Sequence, residues 1–104
     1  MSRDAFPSIL DQCRSVLRRV LQEGDLAIDA TVGNGHDTAF LAECVGATGK
    51  VVGFDLQETA ITNTRGRLDE QGFGDRVLLL QRGHETMVEA LAENSIRERP
   101  RAVV

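Results

Sequence analysis

The stretch Ala27–Gln57, AIDATVGNGHDTAFLAECVGATGKVVGFDLQ, decides the fold. An apolar run ends in the carboxylate of Asp29. Gly33 and Gly35 follow, then a helical pattern, a glycine-bearing turn, and a second apolar run that ends in Asp55. A charge at the end of an otherwise buried strand needs a physical reason. In an open parallel sheet, ligands bind beyond the carboxyl ends of the strands, near the point where strand order reverses. Glycines there allow a tight turn and close approach of a ligand to the backbone. The next helix begins with free N–H groups and the positive end of its dipole, which favour an anionic group. Asp29 therefore marks the mouth of a ligand crevice, where its charge stays partly solvated or meets a cation.

Outward from this stretch the chain keeps alternating. Upstream, SILDQCRSVLRRVLQEGD places Ile9, Leu10, Cys13, Val16, Leu17, Val20 and Leu21 at three- and four-residue spacing, one helical stripe. Pro7 and Ser8 suit its start and Gly24 its end. DLAIDATV is a strand. DTAFLAECV is a helix that Asp37 or Thr38 would cap, with Phe40, Leu41 and Cys44 inward. KVVGFDL is a second strand, QETAITNTRGRLDEQG a helix with Ile61, Thr64 and Leu68 on one side, and DRVLLLQ a third strand. HETMVEALAEN is a short helix and PRAVV begins a fourth strand. Strands alternating with helices predict an α/β, Rossmann-like parallel sheet with right-handed crossovers. Val77–Leu80 is apolar without alternation, as expected when helices cover both faces. Residues 1–104 read as one domain: an N-terminal helical segment over 1–24 and a β-α-β-α-β-α-β core over 25–104.

Composition narrows the class. With no Trp or Tyr and four Phe, the core must be aliphatic. The net charge of −4 shows no basic footprint for nucleic acid over the whole chain, although eleven of the twelve basic residues are Arg. Cys13 and Cys44 stand apart on apolar helix positions and read as small buried hydrophobes in a reducing compartment. MSRDAFPSIL lacks the apolar core of a signal peptide, and no run approaches a membrane span, so a cytoplasmic location is expected.

Asp55 ends the second strand 22 residues after Gly33. An acid there can accept both hydroxyls of a ribose, so the glycine loop and this acid together point to an adenosine-type cofactor. The nicotinamide fingerprint asks for a third glycine three residues after Gly35, where Thr38 stands. Asp29 and Asp37 also make a poor setting for a pyrophosphate. They suit S-adenosylmethionine, which carries an ammonium and a sulfonium. Charge matching and the missing glycine favour that cofactor over NAD.

DATVGNGHDTAFLAECVG and GFDLQETAI resemble the class I methyltransferases, in particular a bacterial rRNA methylase family. That family includes enzymes that methylate the aminomethyl group of a modified wobble uridine in tRNA. The resemblance runs from Gly24 to about His84 and is weaker outside it. It implies that Gly33, Asn34, Gly35, His36, Asp37 and Thr38 hold the methionine end of the cofactor, and Asp29 and Thr31 are counted with them as cofactor-binding residues. It implies that Asp55 holds the ribose, that Leu56 and Gln57 flank the adenine, and that Gly83, His84 and Glu85 close over it. It further implies an RNA partner, tRNA in particular. Family members have seven strands and continue past the fourth into a loop that helps form the acceptor site. This chain reaches Val104 before such a loop, so a cofactor-binding part without turnover of its own is expected, and no catalytic base can be named.

Simpler roles compete at each position. Asp29 could cap a turn, and Gly33 and Gly35 would serve the turn alone. Asn34 tolerates a left-handed backbone. His36 could be a loop histidine; no cluster has metal-ligand spacing, so no metal is assigned. Asp37 and Thr38 are caps first, with an ammonium contact by Asp37 in addition. Glu58 suits a helix start. His84 and Glu85 could merely begin the next helix. Arg14, Arg18 and Arg19 read as a solvated face, with contact to RNA phosphates as the functional alternative. The alternatives for the whole chain are a non-catalytic cofactor-binding module and, less favoured, a piece of an NAD-type oxidoreductase. Ala102–Val104 would form an exposed edge strand, prone to pair with another copy.

Overall fold

A computed structural model describes residues 9–104, with side chains from Arg14 onward. Helix α1 spans Ile9–Val20, strand β1 Leu26–Asp29, helix α2 His36–Val45 and strand β2 Lys50–Phe54. Helix α3 covers Glu58–Glu70, strand β3 Val77–Leu80, helix α4 Met87–Glu93 and strand β4 Ala102–Val103. Short 3-10 turns at Gly74–Arg76 and His84–Thr86 precede β3 and α4. Pro7 and Ser8, and the side chains of Ile9, Leu10 and Cys13, lie outside the described residues.

All four strands are parallel, in the order β3-β2-β1-β4. Ile28 registers with Val52 on one side and Val103 on the other. The order reverses between β1 and β4, and the end of β1 lies at that switch point. The predicted Rossmann-like sheet is therefore the observed one.

Strands β1, β2 and β3 each feed two cores, which explains their apolar runs. Ala27, Val51 and Val77 face a core with Phe40, Leu41, Ala42 and Val45 of α2, Leu68 of α3 and Leu21. Leu26, Ile28, Val52 and Phe54 face the opposite way, against Ala90 and Ile96 of the α4 region. Successive strand residues thus bury alternately on either side, and no position along them can be polar until the strands end. Phe54, Leu26, Ile28 and Leu41 are fully buried; each contributes about 1.5–3 kcal/mol relative to exposure.

The stripe expected on α1 is only partly used. Leu21 is buried and Leu17 is packed against the α2 core, but Val16 and Val20 are exposed. In place of aliphatic contact, Arg14 and Arg18 lie over the Phe40 ring, with their guanidinium carbons 5.3 and 4.8 Å from its centroid. These cation–π contacts help hold α1 on α2; Arg14 is half-buried by its contacts, whereas Arg18 and Arg19 stay exposed, as the solvated-face reading expects.

Candidate functional site

Two strand ends and the loop between them build the site. Asp29, the last residue of β1, is only 2% exposed. Its Oδ2 accepts the Thr38 hydroxyl at 2.7 Å and its Oδ1 accepts the Thr31 N–H at 3.3 Å. The expectation of a partly solvated carboxylate is thereby corrected. α2 packs down on β1 through Ala39, Leu41 and Ala42, and this packing brings Thr38 over the strand end. Burial pushes the Asp29 carboxyl up to about 6; the Thr38 and Thr31 hydrogen bonds oppose that, and the nearby charges of Asp37 and Asp55 add to it.

Thr38 does not cap α2, and neither does Asp37. The helix begins at His36, with Gly35 at the cap position in a left-handed backbone, φ +85°. Gly33 is also left-handed, φ +57°. A Cβ on Gly35 would meet Thr64 Oγ1 at 2.7 Å, so that glycine is required both by its backbone and by the closeness of α3. Asp37, in the first turn, pairs with Arg14 at 2.9 Å. That pair joins α1 to the start of α2 and engages the carboxylate that the sequence offered to an ammonium group.

Asp55 follows β2 and faces the glycine loop directly. One of its oxygens accepts the Gly33 N–H at 3.0 Å and the other accepts the Gln57 N–H at 2.9 Å. The Val32 N–H donates to the Phe54 carbonyl at 2.9 Å, which extends the β1–β2 contact into the loop. Each Asp55 oxygen keeps a lone pair, so the carboxylate retains capacity for two further donors.

Two adjoining cavities open at these strand ends and share Thr31, Asp55 and Gln57. One, of about 330 Å³, runs between the loop residues Gly33 and Asn34 and the α3 residues Thr59, Ala60 and Asn63. The other, of about 250 Å³, runs from Ala30 past Leu56 to Arg82, Gly83, His84 and Glu85 beyond β3. Of the residues singled out in the sequence, Thr31, Gly33, Asn34, Asp55, Leu56, Gln57, Gly83, His84 and Glu85 line these cavities. Asp29, Gly35 and Thr38 are buried next to the loop, and His36 is exposed at the start of α2 without lining either cavity.

Sequence reasoning missed Arg82, Thr59, Ala60 and Asn63. Arg82 immediately precedes the flagged Gly83 and could have been found as a cation at a strand end; its guanidinium is held by Glu93 and, at 3.9 Å, by Glu89. The three α3 residues carry no local signal and enter the site only because the helix crosses the loop. Among the described residues, no group of three His, Cys, Asp or Glu side chains is placed to hold a metal, and no helix is long and apolar enough to cross a membrane.

A parallel β3-β2-β1-β4 sheet with a glycine loop after β1 and an acid after β2 is an architecture that the class I, S-adenosylmethionine-dependent methyltransferases share with the dinucleotide-binding Rossmann folds; the family comparison separates the two. Residues 51–103 match the family model described as "Putative rRNA methylase", and the chain belongs to that family. Among its relatives is the chloroplastic tRNA (mnm(5)s(2)U34)-methyltransferase of Arabidopsis thaliana, 38% identical over an alignment of 89 positions that covers 77% of this chain and 32% of the relative. The solved structure of an rRNA-methylase from Clostridium thermocellum is 44% identical, with a TM-score of 0.79, over 81% of this chain and 45% of that one. A methyltransferase from Streptococcus mutans, solved in complex with SAH, is 34% identical, with a TM-score of 0.79, over 94% of this chain and 51% of that one. The chain therefore spans 32% of that curated relative and 45–51% of the two solved ones.

Proposed function

We propose that this chain binds S-adenosylmethionine across the ends of β1 and β2 and serves methyl transfer to RNA. The observation that carries this reading is the Asp55 carboxylate, which stands where both cavities meet, is oriented by two backbone amides and still has two lone pairs to offer. A ribose diol supplies two such donors. Leu56, Gln57, Gly83, His84 and Glu85 would then flank the adenine, and Thr31, Gly33 and Asn34 the methionine end. Asp29, Gly35 and Thr38 support the loop from below, and Asp37 is held by Arg14.

The donor set fits the cofactor. Of the three carboxylates only Asp55 lines the cavities, Asp29 being buried beneath the loop and Asp37 paired with Arg14; a pyrophosphate beside Asp55 would be repelled, whereas a neutral ribose or a cationic group is not. When bound, the cofactor supplies a methyl group already activated by its sulfonium. What remains to the protein is alignment and exclusion of water, which is a proximity effect.

The acceptor we propose is the aminomethyl nitrogen of a modified tRNA wobble uridine. The 38% identity to the Arabidopsis tRNA methyltransferase supports this reading. We further propose that residues 1–104 alone bind the cofactor without turnover, the acceptor being oriented by groups that this span does not include. Calorimetric titration with S-adenosylhomocysteine against NAD tests the cofactor. Tighter binding of NAD would sink the reading. Methylation of undermodified tRNA tests the rest, and robust activity of residues 1–104 would refute the claim of inactivity.

A further inference from the structure

We propose that Thr64 and Arg67 of α3 are positioning residues for the glycine loop, which they set for the carboxylate end of the cofactor; this rests on the S-adenosylmethionine reading above. The Thr64 hydroxyl donates to the Gly33 carbonyl at 3.3 Å, and the Arg67 Nε donates to the Asn34 carbonyl at 3.0 Å. These contacts span 31 and 33 residues of sequence. Two successive loop carbonyls are thereby turned onto the helix.

The consequence follows from peptide geometry. The described residues contain no cis peptide bond, and in a trans peptide the N–H points opposite to the C=O. With the Gly33 carbonyl drawn to α3, the Asn34 N–H points away from it, on a residue that is exposed. Its neighbours are already engaged: the Gly33 N–H by Asp55, and the Gly35 N–H by the Val32 carbonyl. Among the described residues the Asn34 N–H has no hydrogen-bond partner, and Asn34 lines a cavity at the strand ends, so a free donor is left at the loop for a ligand there. An anionic carboxylate is attracted by such a donor and repelled by a carbonyl.

Gly33 makes this arrangement reversible unless it is held. Glycine adopts left- and right-handed backbones with similar ease, and Asn is the side chain most tolerant of the left-handed one. Without the α3 donors, the 33–34 peptide can turn over and present its carbonyl outward. Thr64 and Arg67 line neither cavity, so their effect on a ligand must pass through the loop.

The test is calorimetric titration of the 104-residue chain with two probes. S-Adenosylhomocysteine carries the amino-acid carboxylate; 5′-methylthioadenosine keeps the adenosine and the sulfur but lacks it. Thr64→Val keeps the shape packed against Gly35 and removes the hydroxyl, and Arg67→Met keeps the stem and removes the donors. Each should weaken S-adenosylhomocysteine about tenfold and leave methylthioadenosine within about twofold. Thr64→Ser and Arg67→Lys, which restore a donor, should recover most of the loss. Equal weakening of both probes indicates general loosening of the fold and overturns the inference, as do variants that bind S-adenosylhomocysteine like wild type. A wild-type chain that binds neither probe overturns the cofactor reading and takes this inference with it.

Discussion

Asp55 and Gly33 are 22 residues apart in sequence, yet the carboxylate of one accepts the amide of the other at 3.0 Å. This bond ties the end of β2 to the loop that leaves β1. The loop and the acid are therefore ordered against each other before a ligand enters. Preorganisation of this kind lowers the entropy lost on binding.

Replacement of Asp55 by Ala should cost binding first. Loss of the carboxylate removes the proposed ribose acceptor and frees the Gly33 and Gln57 amides. Affinity for S-adenosylhomocysteine should fall by more than about tenfold, and stability by about 1–3 kcal/mol. Titration calorimetry combined with urea unfolding separates the two effects. Unchanged affinity would remove Asp55 from the site.

Gly33 and Gly35 should respond differently to Ala. Both are left-handed, but nothing lies within 4 Å of a Cβ on Gly33, whereas one on Gly35 meets Thr64. Gly33→Ala should cost about 1–2 kcal/mol, from backbone strain alone. Gly35→Ala adds overpacking and should cost about 2–4 kcal/mol in total. Equal losses in chemical unfolding would contradict the packing of α3 on the loop.

Asp29 predicts a pH dependence of stability. Burial raises its folded carboxyl from 3.8 to about 6, so the native state holds its proton more tightly than the unfolded chain does. Stability from this group is full below pH 3.8 and is lost as pH rises through about 6. The swing is on the order of 3 kcal/mol. Asp29→Asn should flatten this part of the profile. A wild-type stability that is level between pH 4 and 6, or that rises there relative to Asp29→Asn, would count against a raised pKa.

β4 is an edge of the described sheet, bonded to β1 on one side, and Val103 and Val104 are exposed. An exposed apolar edge invites pairing with a second copy. We propose concentration-dependent self-association of the 104-residue chain, to be seen by light scattering and diminished by Val103→Lys. A monomer at all concentrations would refute it.

Much of the fold was readable along the chain. Alternating apolar strands and helices, glycines at the turns and acids at two strand ends follow from composition and spacing, and these determine a parallel α/β sheet with its ligand side at the carboxyl ends. Packing decided the rest. Thr38 looked like a cap but serves as a buried donor to Asp29. Arg14 looked solvated, yet it neutralises Asp37 and lies over Phe40. Thr59, Ala60, Asn63, Thr64 and Arg67 reach the loop or its cavity only because α3 crosses it. Spacing records which residues share a strand or a helix face. It does not record which elements come to lie against one another, and those long-range contacts give the loop its orientation and the carboxylates their partners.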